Sequence, residues 1–168
     1  MEILYAPWRM NYASDAEQGK KKSGECVFCE YVARALDDEA NYVLARTNNS
    51  LCILNLHPYN GGHVLVVPFK HGNSVNVLTV EERAELFELT NTAMEVLREA
   101  MQPHGFNIGM NIGGKAAGGS IPEHLHMHII PRWQGDTSFL PLTADTKPVS
   151  QNLQDVYHKI KEVFKKKI

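Results

Sequence analysis

"EHLHMHIIPRW", residues 123–133, alternates two kinds of side chain. His124, His126 and His128 take every second position, and Leu125, Met127 and Ile129 fill the gaps. Period two belongs to a β-strand, whose successive side chains point to opposite faces. The spacing predicts a strand over "HLHMHIIPR", with an apolar face for a helix and a face of three histidines. Same-face neighbours lie roughly 6.5 to 7 Å apart at the backbone, which separates the outer pair by about 13 Å. Two adjacent histidines can share a metal ion at that spacing, but all three would struggle. A division of labour fits better than one ion held by the whole triad. The bland reading is a solvated polar face; three histidines directly after a glycine-rich loop weigh against it.

Other elements are read the same way. "GFNIGMNI" (105–112) is a strand candidate, and "GGKAAGGSIP" (113–122) is the glycine-rich loop. From Thr79 to about Met101 the period changes: Leu86, Leu89, Ala93, Val96, Leu97 and Ala100 recur at three- and four-residue steps. That predicts a long helix packed by one face, with Thr79 as N-cap and Glu81 and Glu82 in its first turn. "HVLVVP", closed by Pro68, reads as a buried strand after the turn "HPYNGG". "NYVLART" and "SLCILNL" read as a hairpin around Asn48 and Asn49. "VFCEYVARAL" predicts a short helix, residues 1–25 an N-terminal arm that is polar from 9 onward, and the amphipathic tail 149–168 a C-terminal helix. No internal repeat is visible. The expected fold class is α+β with a mainly antiparallel sheet.

The 168 residues suit one domain able to bury a full core, with 43% hydrophobic and 21% charged residues. A formal net charge of −2 gives no global basic bias toward nucleic acid or an anionic membrane as main partner, though a local site for a small anion stays open. The start "MEILYAPWRMNYASD" lacks a basic segment followed by an apolar run, and no stretch reaches the length of a membrane span. The expected compartment is the cytoplasm. Three cysteines, Cys26, Cys29 and Cys52, argue against a disulfide-stapled secreted fold.

"HLHMHII" resembles the histidine-triad motif, His-φ-His-φ-His-φ-φ with φ apolar, at all seven positions. "NLHPYNGGHVLVVPFKH" is similar to the same family's earlier strand-turn-strand segment. "PRWQGDTSFLP" and the early "APWR" resemble the branch of diadenosine tetraphosphate phosphorylases and hydrolases. The resemblance spans roughly residues 4–140 and implies a histidine-triad (HIT) fold with a long packed helix. It implies a nucleotidyl hydrolase or transferase that attacks the α-phosphate of a nucleotide with the middle histidine, here His126. A backbone carbonyl near the first histidine fixes the tautomer of that ring. By the same resemblance His128 contacts the phosphate, His63 lies near it, and Asn55 hydrogen-bonds the ribose hydroxyls. From the residues alone, His63 could be an exposed turn residue and Asn55 a turn cap.

The loop around Gly119 and Ser120 suits an anion, because glycines let backbone N–H groups approach a phosphate. Lys115 could add charge or simply be solvated. Ser120 departs from relatives that carry Gln four residues before the first histidine. Serine still donates a hydrogen bond to a phosphate or bridging oxygen, over a shorter reach than glutamine. Pro122 stiffens this loop.

Cys26-x-x-Cys29 has metal-ligand spacing, although two reduced structural cysteines account for it as well. In some bacterial relatives this pair joins a histidine after the "VxP" strand and the first triad histidine around zinc. The matching positions are His71 and His124, and that closed Cys2His2 set implies a structural Zn2+; no organic cofactor is implied. Cys52 reads as core. Trp8 and Trp133 could stack on a base, line a subunit contact or pack in the core. The expected substrates are purine nucleotides, above all adenosine polyphosphates, cleaved by phosphorolysis or hydrolysis. Alternatives are an adenosine phosphoramidate hydrolase, a slow nucleotide-binding regulatory module, or a metalloenzyme using the triad as ligands. The resemblance also suggests a homodimer, or a tetramer, with the long helix and a strand of each subunit meeting.

Overall fold

The computed structural model describes residues 26–117, 120–136 and 152–168. The arm, Trp8, "APWR", Gly119 and the first residues of the predicted C-terminal helix lie outside the described residues. Five strands form one sheet: β1 (Val43–Arg46), β2 (Ser50–Leu54), β3 (Val64–Pro68), β4 (Gly105–Met110) and β5 (Met127–Arg132). Their order is β1-β2-β3-β5-β4, and every neighbouring pair is antiparallel. Among the described residues three helices join them: α1 (Val27–Ala33), α2 (Val80–Met101) and α3 (Leu153–Phe164). This is the expected α+β fold.

β2 and β3 are buried along their whole length because both sheet faces are covered. Cys52, Leu54, Val64 and Val66 pack with α2 and α3. Leu51, Ile53, Leu65 and Val67 pack with Phe28 of α1. Leu86, Leu89, Ala93, Val96, Leu97 and Ala100 form the buried stripe of α2, as their spacing predicts. Thr79 and Glu82 close its first turn as a capping box, each side chain taking the other's backbone N–H. Glu85 of α2 accepts from the Thr47 hydroxyl and from the backbone and side-chain N–H groups of Asn49, pinning the β1–β2 turn.

Two predicted boundaries are moved by partners distant in sequence. Helix α1 stops at Ala33, and Ala35–Asp37 form a separate 3-10 turn. The cause is distant in sequence: the Arg46 guanidinium takes the carbonyls of Tyr31 and Val32 while chelating Asp38. It captures carbonyls that one more helical turn needs. Strand β5 starts at Met127 rather than at His124. Its ladder with β3 ends at the pair Val66 and Met127. Continuing the register sets Leu125 opposite Pro68, which has no N–H to give. Leu125 N–H donates instead to the Gly72 carbonyl, 2.6 Å away. The alternation survives: Leu125, Met127 and Ile129 face α2, and the histidines face α1.

The sheet's two edges differ. At β1, the Tyr157 hydroxyl donates to the Val43 carbonyl, and Lys161 Nζ donates to those of Val43 and Leu44. At the other edge, β4 leaves Ile108 45% exposed and ends at Met110, two residues earlier than expected. No described helix is long and apolar enough to cross a membrane.

Candidate active site and metal centre

The turn before β3 places His63. Gly62 adopts φ 72°, and a Cβ there runs into Met101 Sδ, so the position needs glycine. Asn60 in the same turn donates to the Pro131 carbonyl (2.8 Å) and to Asp136 (3.0 Å), which Arg132 also grips. The turn is thereby fixed to the far end of β5.

Hydrogen bonds then dictate the histidine tautomers. Tyr59 N–H and the Asn55 side-chain amide both donate to His63 Nδ1 at 3.1 Å. Its proton therefore sits on Nε2 and is donated to His128 Nδ1, 3.0 Å away. Neutral His128 in turn carries its proton on Nε2. That atom is buried and has no hydrogen-bond partner among the described residues. His126 Nδ1 lies 2.8 Å from the His124 carbonyl, which can only accept, so the lone pair of His126 is on Nε2. The His126 and His128 rings are 4.8 Å apart.

All three rings are held neutral. Burial, then the neighbouring His128 and His126, push His63 down to about 3. Burial, then His126, push His128 down to about 4. Burial also lowers His126, opposed by its bond to the His124 carbonyl and by Glu123. A neutral imidazole with a fixed tautomer is what nucleophilic attack on phosphorus requires.

His126 and His128 open onto a cleft between α1 and the sheet. Its walls are largely apolar: Val27, Phe28 and Tyr31 from α1, Ile53 and Leu65 from the sheet, and Ile121. Asn55, His57, Tyr59 and Ser120 supply polar groups.

Beside the cleft, Cys26, Cys29, His71 and His124 bring four ligand atoms within 4.8 Å of one another. Cys26 Sγ and Cys29 Sγ lie 3.3 and 3.6 Å from His124 Nδ1, and Cys29 Sγ lies 3.3 Å from His71 Nδ1. A tetrahedral ion with bonds of about 2.3 Å to sulfur and 2.0 Å to nitrogen sets those atoms about 3.5 Å apart. His124 Nε2–H donates to the Pro68 carbonyl at 2.8 Å, which turns the Nδ1 lone pair toward the thiols. Burial first, then Cys26 and Glu123, hold the Cys29 thiol above its usual range, a bias that a cation reverses. The four side chains fit a metal ion.

The HIT domain family matches residues 38–135. The chain belongs to the histidine-triad (HIT) family. It is 40% identical over 159 residues to a protein named AP-4-A phosphorylase from Mycobacterium tuberculosis, covering 92% of this chain and 80% of that one. Among solved structures it is similar to a Zn-bound histidine triad family protein from Mycobacterium smegmatis. That match has 26% identity and a TM-score of 0.68 over 84% of this chain and 94% of that one. A hypothetical histidine triad nucleotide-binding protein from Sulfolobus tokodaii gives 27% identity and a TM-score of 0.67, over 84% and 93%.

Within this HIT site, the fold brings His126, His128, Asn55 and Ser120 to one cleft. His63 is fully buried behind His128 and meets the cleft's lining through that ring, Asn55 and Tyr59. Gly119 lies outside the described residues. Trp133 donates its indole N–H to the Gln102 carbonyl and does not line the cleft. Cys52 is a core residue, its thiol pushed far up by burial. Sequence reading missed Phe28, whose ring lies 5.1 Å from that of His126, and Tyr59, which stacks on His128. A signal for Phe28 existed: a large apolar residue inside the C-x-x-C pair, next to the triad's expected partner. His57 gave none beyond its place in a turn.

Proposed function

We propose that this HIT protein cleaves diadenosine polyphosphates at an α-phosphate by way of a covalent nucleotidyl-His126. One observation carries the reading: His126 Nδ1–H is fixed on the His124 carbonyl, leaving the Nε2 lone pair beside a His128 N–H that has no partner among the described residues. His126 Nε2 attacks phosphorus, an N–P bond forms, and the P–O bond to the remaining polyphosphate breaks. His128 Nε2–H donates to a non-bridging oxygen and stabilises the charge that builds there. Phosphate or water then attacks the same phosphorus and releases His126. His63 holds the tautomer that keeps His128 a donor. Asn55 takes the ribose hydroxyls with the amide hydrogen that His63 does not use. Ser120 and the backbone of Gly119 meet the phosphates, and the apolar walls receive the base.

The likeness to a protein named AP-4-A phosphorylase makes phosphorolysis the first activity to assay. Wild type and His126→Ala are incubated with diadenosine tetraphosphate, with and without phosphate. ADP plus ATP only with phosphate marks a phosphorylase. AMP plus ATP in water marks an asymmetric hydrolase, and two ADP a symmetric one. Full activity of His126→Ala sinks the covalent mechanism.

The metal is zinc and its role structural. Two thiolates and two imidazoles close a tetrahedral shell and leave no position for substrate. The similarity to a Zn-bound relative supports this. Bound there, zinc ties the segment at Cys26 to the strand that follows His124. Protein purified without added zinc should carry about one equivalent; its absence counts heavily against the site. The chain works as one HIT domain and assembles as a homodimer through the β4 edge, where Ile108 is exposed, and through α2, where Phe87 is exposed. Three cysteines outside any disulfide, two of them zinc ligands and one buried, suit the cytoplasm.

A further inference from the structure

We infer that the Cys26–Cys29–His71–His124 centre also sets the nucleotide cleft, so that metal and nucleotide binding reinforce one another. This rests on the cleft being a nucleotide site. Three connections carry the coupling. The residues between the two cysteines, Val27 and Phe28, both line the cleft, and Tyr31 follows one turn later on the same helix. The metal thus holds the wall that a base packs against. Next, the Phe28 ring touches both functions, 5.5 Å from the His124 ring and 5.1 Å from that of His126. Last, His124 belongs to both sites. Its Nδ1 faces the thiols, its Nε2–H is tied to Pro68, and its backbone carbonyl fixes the nucleophile's tautomer.

Helix α1 cannot hold this geometry alone. It has seven residues, and its N-cap, Cys26, makes no side-chain capping bond. A helix so short is marginal without outside anchors. Arg46 secures its C-terminal carbonyls and Phe28 packs into the core, while Cys26 and Cys29 tie its N-terminal turn to His71 and His124 through the ligand cluster. An ion that orders this end removes an ordering cost that the nucleotide otherwise meets. By linkage the nucleotide must tighten the ion by the same factor. No step of the chemistry passes through the metal; Phe28 and His124 are positioning residues for His126.

The test uses AMP, which binds without turnover. Its affinity is measured calorimetrically for zinc-loaded and chelator-stripped protein. Zinc affinity is measured by chelator competition with and without saturating AMP. Stripping should weaken AMP about tenfold, and AMP should tighten zinc by the same factor. Equal AMP affinity in both forms, with the stripped protein folded by circular dichroism, overturns the inference. Should stripping unfold the protein, Phe28→Ala decides. It keeps all four ligands, and its zinc affinity should lose most of its response to AMP; an unchanged response overturns the inference. Failure of the loaded protein to bind AMP indicts the nucleotide reading instead. The coupling is then read from histidine 1H–15N spectra. His126 should hold the Nδ1–H tautomer when loaded and a mixture when stripped, and an identical tautomer in both overturns it.

Discussion

His63 makes this fold sensitive to acid through one side chain. The ring is fully buried, accepts two N–H bonds at Nδ1 and donates its one proton to His128. A second proton has no acceptor there, because Nδ1 already faces two donors. In the folded protein its pKa falls from 6.5 to about 3. Above pH 6.5 both folded and unfolded chains carry a neutral His63, so pH has no effect through this group. Below that the unfolded chain takes up a proton that the folded chain refuses, and stability drops by about 1.4 kcal/mol per pH unit. The loss is about 2.7 kcal/mol at about pH 4.5 and on the order of 5 kcal/mol once pH reaches the folded value. Urea unfolding of wild type and His63→Gln at about pH 7.5 and about pH 4.5 measures it. Glutamine keeps amide groups in the position but cannot ionise. The wild type should lose about 2.7 kcal/mol more than the variant, or about 1.3 M in midpoint for an m-value of about 2 kcal/mol per M. Protonation of the metal ligands affects both proteins and cancels. Equal losses within about 0.5 kcal/mol refute the lowered pKa that burial and the neighbouring rings give His63, and with it the neutral ring behind His128.

Gly62→Ala should destabilise by about 1–3 kcal/mol, through the positive φ and the clash with Met101, and should lower the melting temperature by several degrees. An unchanged melt removes the case for a fixed His63 turn. Thr79→Ala should cost about 1 kcal/mol in chemical denaturation by opening the capping box, with nucleotide cleavage retained. Ile108→Glu should convert a sedimenting dimer to a monomer by charging the open β4 edge; an unaltered dimer means that another surface pairs the subunits.

The sequence speaks most clearly where one physical cause dominates. The stripe of α2 and the buried runs of β2 and β3 are set by hydrophobic period, a local property. The ends of α1 and β5 are set by partners far away, Arg46 and Pro68, and local pattern carries no trace of them. The site divides in the same way. The metal ligands and the histidines are conspicuous residue types at telling spacings. The tautomers are less legible, because one of the two groups that order His63, beside the Asn55 amide, is a backbone N–H at Tyr59. Any residue but proline there supplies the same atom. Phe28 escaped because its task depends on which side of α1 the cluster grips.

The grip of α3 on β1 has a consequence for how copies of this chain can meet. A sheet with two free borders can grow without limit, each newcomer offering a fresh border to the next. Here Tyr157 and Lys161 already take the Val43 and Leu44 carbonyls at one border, and among the described residues β4 is the more exposed border. A pair joined through β4 uses that border in both copies and offers none of it to a third. The C-terminal helix thus caps one border of the sheet, so that the proposed pair through β4 is closed and not a fibre.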